Sequence, residues 1–348
     1  MINVYTEMNK NYKSIGEEIL EKERECLTNF GRGVEQASFG GKYENQYYAK
    51  VEDNLWHRTL MAEQHFKEYS RGSGGELDDK NGRPAKMKSI RSSSAMTYNL
   101  LGDRNIKLID GKEIFSEGQY SIEYEKQLYT IRRNLQPANL DAFLYNEEKQ
   151  EAIFCEMKMM EWIFNEPRAL KDAYQNQDLY YANTEVGNKT VAKFLKAIEN
   201  LKKEMPEFKD GAHFYRYDAW QMFKHILGIY NMTSDITREE MNRKIAKSTD
   251  DFKLIPPCKK VTLVNVVFEP APEAISEEMR TIYKEIVEKE RTDFFAFKTM
   301  MKESGIPEAF DDDCHIKFDI EYMSAAEFMD CFDVSERREY LERYRLAK

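Results

Sequence analysis

Cysteine is scarce and scattered in this chain: Cys26, Cys155, Cys258, Cys314 and Cys331 are the only five in 348 residues. No two form a CxxC pair, so a structural zinc site is not indicated. Their odd number fits free thiols in a reducing compartment, and a cytoplasmic protein is expected. The five histidines make neither HxH nor HExxH, which argues against a zinc hydrolase. No GxxxxGK[ST] loop is present and no serine sits in a GxSxG elbow, so P-loop ATPase and α/β-hydrolase chemistries are set aside. No apolar run reaches the length of a membrane span, and no membrane association is expected. Met1-Ile-Asn-Val-Tyr-Thr-Glu7 has no basic segment followed by an apolar stretch, so no secretory leader is expected. Internal repeats and long low-complexity linkers are missing too.

What is present suits a large core: 41% of residues are hydrophobic and 13% aromatic. Lys and Arg number 52 against 62 Asp and Glu, a net charge of −10. That balance speaks against an all-over polyanion-binding surface, although a local basic groove remains compatible with it.

The hydrophobic patterning alternates between helical and strand periods. Helices are expected over Tyr12–Phe30, where Ile15, Ile19, Leu20 and Leu27 share a side, and over Val51–Tyr69. Ser70-Arg-Gly-Ser-Gly-Gly75 reads as a loop. Beyond it lie Lys80, Arg83, Lys86, Lys88 and Arg91, which form either a solvated loop or a strip for a phosphate backbone. Lys86, Lys88 and Arg91 are the candidate nucleic-acid contacts. Serines open and a glycine closes a helix over Ser92–Gly102.

Strands are expected near 119–129, 139–145 and 151–160, with Asn146-Glu-Glu-Lys-Gln150 as a hairpin loop. Asn165–Asn183 reads as helix and loop, and Lys189–Met205 and Tyr217–Tyr230 as helices. Lys260–Phe268 reads as a buried strand, Ala274–Glu303 as mostly helix and His315–Tyr322 as a short strand. Ser324-Ala-Ala-Glu327 is a capping box. The expected class is α/β: a central mixed sheet with helices on its faces. Residues 1–90 would pack as a helical region on a core of 91–270, and 271–348 would extend the same domain.

Glu156 and Lys158 lie two apart in the apolar run Glu151-Ala-Ile-Phe-Cys-Glu-Met-Lys-Met-Met160. Period two puts them on one face of a strand, with Cys155 on the other. The hairpin brings Asp141, from Asn139-Leu-Asp-Ala-Phe-Leu-Tyr145, beside them. Two carboxylates and a lysine on apolar strands are costly to bury without a task. A divalent metal supplies one: magnesium prefers a few carboxylates plus waters and substrate oxygens, and a lysine can meet charge on a scissile phosphate. The competing account is an exposed edge strand with a cross-strand ion pair to Asp141.

Asp141 and Glu156-Met157-Lys158, with the hydrophobic strands around them, resemble the PD-(D/E)XK phosphodiesterase superfamily of restriction-endonuclease-like fold. The expected order of helix, three strands, helices and strand over about 90–270 matches its αβββαβ core, with N- and C-terminal helical additions. Arg91–Gly102 also looks like the first helix of a bacterial branch. One departure is Leu140, which stands where the family's proline often precedes the aspartate; Pro137 lies four residues before Asp141.

The resemblance implies a Mg²⁺-dependent nuclease, with Mn²⁺ as substitute and DNA as the expected substrate. Asp141, Glu156 and Lys158 would be catalytic, and Asp141, Glu156, the Met157 carbonyl and Glu125 would be metal ligands. Glu123 competes with Glu125 for that place, since the two share a strand face. Glu161 is a further outer-shell carboxylate, and Gln177-Asp-Leu-Tyr-Tyr181 matches a Gln-x-x-x-Tyr element of exonuclease-type members. Gln221, Lys224 and His225 fall on one side of a helix and could face a phosphate, or His225 could be a buried, hydrogen-bonded residue. Cutting both strands of a duplex with one centre per chain would call for a homodimer. The alternatives are a non-catalytic member of the fold that binds nucleic acid or a protein partner, and an unrelated α/β interaction protein.

Overall fold

The structure, a computed structural model, describes residues 2–33, 46–71, 75–132, 137–167, 169–205, 213–247 and 254–346. Three residues of the expected glycine-serine loop, 72–74, lie outside them. The chain opens with helices α1 (Ile2–Asn29), α2 (Glu63–Arg71) and α3 (Ser93–Leu101). Strands β1 (Ile106–Leu108), β2 (Gly118–Leu128), β3 (Ala138–Asn146) and β4 (Glu151–Lys158) follow. Then come helices α4 (Glu161–Phe164), α5 (Asn188–Glu204), α6 (Ala219–Thr233) and α7 (Arg238–Lys247), and strand β5 (Lys260–Val267). Helices α8 (Arg280–Glu303) and α9 (Ile306–Cys314), strand β6 (Lys317–Ser324) and helices α10 (Ala325–Asp330) and α11 (Arg338–Leu341) complete it.

The strands form one six-stranded sheet in sequential order. β1 to β4 make an antiparallel meander, while β5 and β6 add in parallel beside β4. The α/β class and the mixed sheet with flanking helices are therefore as expected. Residues 152–157 of β4 are all buried, which is why this strand reads as an almost unbroken apolar run. Odd residues Ile153, Cys155 and Met157 pack with α1, α3 and the C-terminal helices on one face. Ala152 and Phe154 pack with α5, α6, α8 and α9 on the other. Gly228 lets α6 lie close on β2, since a Cβ there would come within 2.6 Å of the Leu128 Cβ.

Local chemistry sets several boundaries. Ser92 Oγ accepts from Ala95 N at 3.1 Å to start α3, and Gly102 at φ +84° ends it. Ser324 and Glu327 form the expected capping box, with side chain and backbone bonded in both directions. The expected helix over Val51–Tyr69 is mostly irregular: a 3₁₀ turn at Glu52–Asn54, then α2. Tertiary partners take the backbone donors there. Trp56 N donates to Asn99 Oδ1 at 2.9 Å and Ala62 N to Asp103 Oδ1 at 2.9 Å, while Arg58 takes φ +54°. The long helix expected from Ala274 starts at Arg280. The short elements β1, α7 and α9 have no counterpart in the periodicity. A buried ion pair ties the two ends together, with Arg343 Nε of the C-terminal segment donating to Glu23 Oε1 of α1 at 2.7 Å.

Candidate active site

β3 and β4 part at Asp141. Their ladder pairs Ala142 with Cys155 and stops there, one residue short of Asp141. The Asp141 side chain takes the ladder's place, and Met157 N donates to its Oδ2 at 2.6 Å. β2 is disturbed at the same level. Pairing skips from Tyr124↔Ala142 to Lys126↔Leu140, and Glu125 between them has φ +50°. A non-glycine residue there is uncommon and marks a constrained position. The alternation changes phase with it: Tyr120, Ile122 and Tyr124 pack on the first face, but Leu128 on the second. The two carboxylates of β2 therefore separate. Glu125 lines the cleft described below, whereas Glu123 accepts from Lys126 Nζ at 2.7 Å and does not line it.

Glu156 and Lys158 lie on the face that carries α6. Lys158 Nζ donates to Glu156 Oε1 at 2.7 Å and to Gln221 Oε1 at 2.7 Å. Asp218 caps α6 by accepting from Gln221 N at 2.9 Å, which fixes the first turn that presents Gln221. One turn on, His225 Nε2 stands 2.9 Å from Glu156 Oε2, and neither ring nitrogen has a hydrogen-bond partner among the described residues. Asn265 of β5 is the register partner of Glu156. All of these except His225 line an open cleft of about 1120 Å³. That exceeds the ~300–1,000 Å³ common for small-molecule pockets and suits a segment of a polymer. Its walls carry Glu76, Lys86, Arg91, Phe164, Arg216 and Lys224.

Charge is unevenly shared on this floor. Burial pushes the Glu156 carboxyl up, but Lys158 and His225 outweigh it and hold the pKa at about 2. Burial, then the charges of Glu156 and Glu125, drive Asp141 well above the carboxylate range, against the pull of Met157 N–H and Lys158. Burial, with Glu76 and Glu156, lifts Glu125 to about 8 despite Lys86. Lys158 is raised because the charges of Glu156, Asp218 and Glu161 overcome its desolvation. Glu156 is therefore ionised and paired with Lys158, while burial and the neighbouring carboxylates favour the protonated forms of Asp141 and Glu125. Among the described residues no three His, Cys, Asp or Glu side chains stand together as a ready metal site.

The family model of restriction endonucleases associating with ARP matches residues 14–300. The chain belongs to that family. No curated protein and no solved structure matches it. In this restriction endonuclease family member the match runs from α1 through most of α8 and so includes the whole cleft floor.

The cleft gathers Asp141, Glu156, Met157, Lys158, Glu125, Glu161, Gln221, Lys224, Lys86 and Arg91 from the expected set. Glu161 accepts from Met160 N at 3.0 Å in the turn that ends the strand early, at Lys158 rather than residue 160. Gln177 is a correction. It stands exposed on a 3₁₀ turn away from the cleft, because Leu179, Tyr180 and Tyr181 anchor that turn in the second core. Lys88 is another: it is drawn to Asp79 at 2.8 Å and does not line the cleft. Lys86 lines it but pairs with Glu76 at 2.8 Å, and Arg91 lies over the Phe164 ring at 5.0 Å.

The sequence reading missed Glu76, Arg216, Tyr217, Asp218, Asn265 and Glu290, which also line the cleft. Only Glu290 left a signal. It interrupts the buried stripe Tyr283, Ile286, Phe294, Phe297, Met301 at helical spacing, where a carboxylate is out of place. No described helix is long and apolar enough to cross a membrane.

Proposed function

We propose that the protein is a metal-dependent phosphodiesterase of the PD-(D/E)XK superfamily that cuts nucleic acid, with DNA as the substrate. The observation that carries this reading is the meeting of Asp141, Glu156 and Lys158 where β3 and β4 part, on the floor of a polymer-sized cleft. Membership of a restriction endonuclease family supports it.

The donor set is all oxygen and suits Mg²⁺, or Mn²⁺ in its place: Asp141, Glu156 and Glu125, with the Met157 carbonyl. The protons held on Asp141 and Glu125 support the same conclusion, since a divalent cation would let all three carboxyls ionise. When bound, the ion would lower the pKa of a water and polarise the phosphoryl group. Lys158, steadied by Gln221, would orient that water and meet the charge developing on the phosphate. Lys86, Arg91, Arg216 and Lys224 would guide the phosphate backbone along the walls. Cutting both strands with one such centre per chain would take a homodimer.

One observation favours a second reading. Glu156 is already paired with Lys158, as in a non-catalytic member of the fold that uses the cleft only to bind nucleic acid or a protein partner. Plasmid cleavage with Mg²⁺ separates the two. Glu156→Ala and Lys158→Ala are each expected to lose at least ~100-fold in rate while circular dichroism stays that of the wild type. Cleavage retained in both variants rejects the nuclease reading.

A further inference from the structure

α8 contributes Glu290 to the lining of the cleft. Glu290 is only 3% exposed, lines the cleft and has no hydrogen bond or ion pair among the described residues. The other carboxyls at the heart of the cleft are engaged. Glu76 holds Lys86 and Ser94, Glu125 receives Asn139 Nδ2, Asp141 receives Met157 N, and Glu156 holds Lys158. Two more buried groups of the same cleft, the Tyr217 hydroxyl and the Asn265 Nδ2, lack a hydrogen-bond partner among the described residues. Among the described residues the resting cleft thus contains a carboxyl without an ion pair and two donors without an acceptor, and the same cleft holds a lysine bound to a carboxylate that a metal ion would need.

We propose that Glu290 is a second seat for the Lys158 ammonium, a positioning residue that takes the lysine over from Glu156 when a divalent cation claims Glu156. This rests on the metal-dependent reading above. In the resting protein two donors of the ammonium are used, one on Glu156 and one on Gln221. Gln221 can keep its bond as a pivot while the partner carboxylate changes. Glu290 loses a proton to solvent in the exchange: burial and the nearby Asp293 and Glu269 favour its protonated form, while Lys158 and, more weakly, Lys289 favour its anion. The groups facing it from each packed element are Lys158 of β4, Tyr217 before α6, Glu269 after β5, Asp293 and Lys289 of α8, Tyr12 of α1 and Tyr322 of β6. Asp293 does not compete for Lys158, since His213 Nδ1 stands 2.9 Å from it and Lys289 also pairs with it.

The test is Mn²⁺ titration calorimetry on the full chain at pH 7, in two buffers of different ionisation enthalpy, which counts protons released per ion. Asp141 and Glu125 also release protons, so the readout is the difference between wild type and Glu290→Gln. The wild type is expected to release about one proton more per Mn²⁺ and to bind at least ~10-fold more tightly. Glu290→Asp is expected to restore the extra proton. Should Glu290→Gln fail to fold, Glu290→Met, which places an apolar chain of similar reach in the buried site, decides by the same difference. Equal proton counts in wild type and variant overturn the role of Glu290 and leave the metal reading standing. A wild type that binds no Mn²⁺ overturns both.

Discussion

Glu125 should weaken the fold in proportion to pH, and Glu125→Gln should remove that cost. The residue is almost fully buried at a backbone position with φ +50°, and glutamine keeps its shape. Its pKa rises from the ordinary 4.5 to about 8, first through burial and then through Glu76 and Glu156. Folding therefore favours the protonated form. Below pH 4.5 both folded and unfolded chains hold the proton and nothing is lost. Between pH 4.5 and about 8 the unfolded chain ionises and the folded one does not, so stability falls as pH rises; above about 8 the loss is constant. At ~1.4 kcal/mol per pH unit, the cost at pH 7 is roughly 3 kcal/mol. Urea unfolding in EDTA at pH 4.5, 6, 7 and 8 tests this. Wild type and Glu125→Gln should be about equal at pH 4.5, and the variant should gain steadily to roughly 3 kcal/mol at pH 7. A difference that does not change with pH would refute the assignment of that proton to Glu125.

Arg343→Ala strands Glu23, whose side chain has no solvent exposure, without its cation. Equilibrium unfolding should show a loss of ~3–5 kcal/mol, and a loss below 1 kcal/mol would mean the pair is not closed in solution. Arg91 and Arg216 line the cleft, stacked on Phe164 and Tyr12 at 5.0 and 4.8 Å, and neither has an ion pair among the described residues. Each Arg→Ala change should weaken binding of unrelated DNA sequences alike and reduce the slope of log affinity on log salt by about one. An unchanged slope would remove that arginine from the phosphate path.

β4 and β5 were legible because their burial is nearly complete, and β6 because it alternates. A central strand such as β4 is apolar on both faces, so Glu156 and Lys158 stood out, and period two gave their common face without further information. The helix caps at Ser92 and Ser324 were legible because a cap is local chemistry. The segment 51–62 was not, because its backbone donors are satisfied by Asn99 and Asp103, about 40 residues away, in a way no local period records. The same limit governs the site. Asp141, Glu156 and Lys158 share a hairpin and could be found from it. The phase change at Glu125 arises in pairing, and it is what parts Glu125 from Glu123 after the alternation had put them together. Glu76 and Asn265 arrive through tertiary packing of segments that read as loop and plain strand. Gln177 and Lys88 failed for the converse reason: a suitable residue type was carried elsewhere by its neighbours' burial and by Asp79.

The central claim is that the floor of the cleft is a metal centre built on Asp141 and Glu156. Calorimetric Mn²⁺ binding to the wild type and to the double variant Asp141→Ala/Glu156→Ala, with plasmid cleavage run on the same samples, tests it most directly. The account predicts binding and cleavage in the wild type and neither in the variant. Binding that persists in the variant, or a wild type that takes up no Mn²⁺, would contradict it.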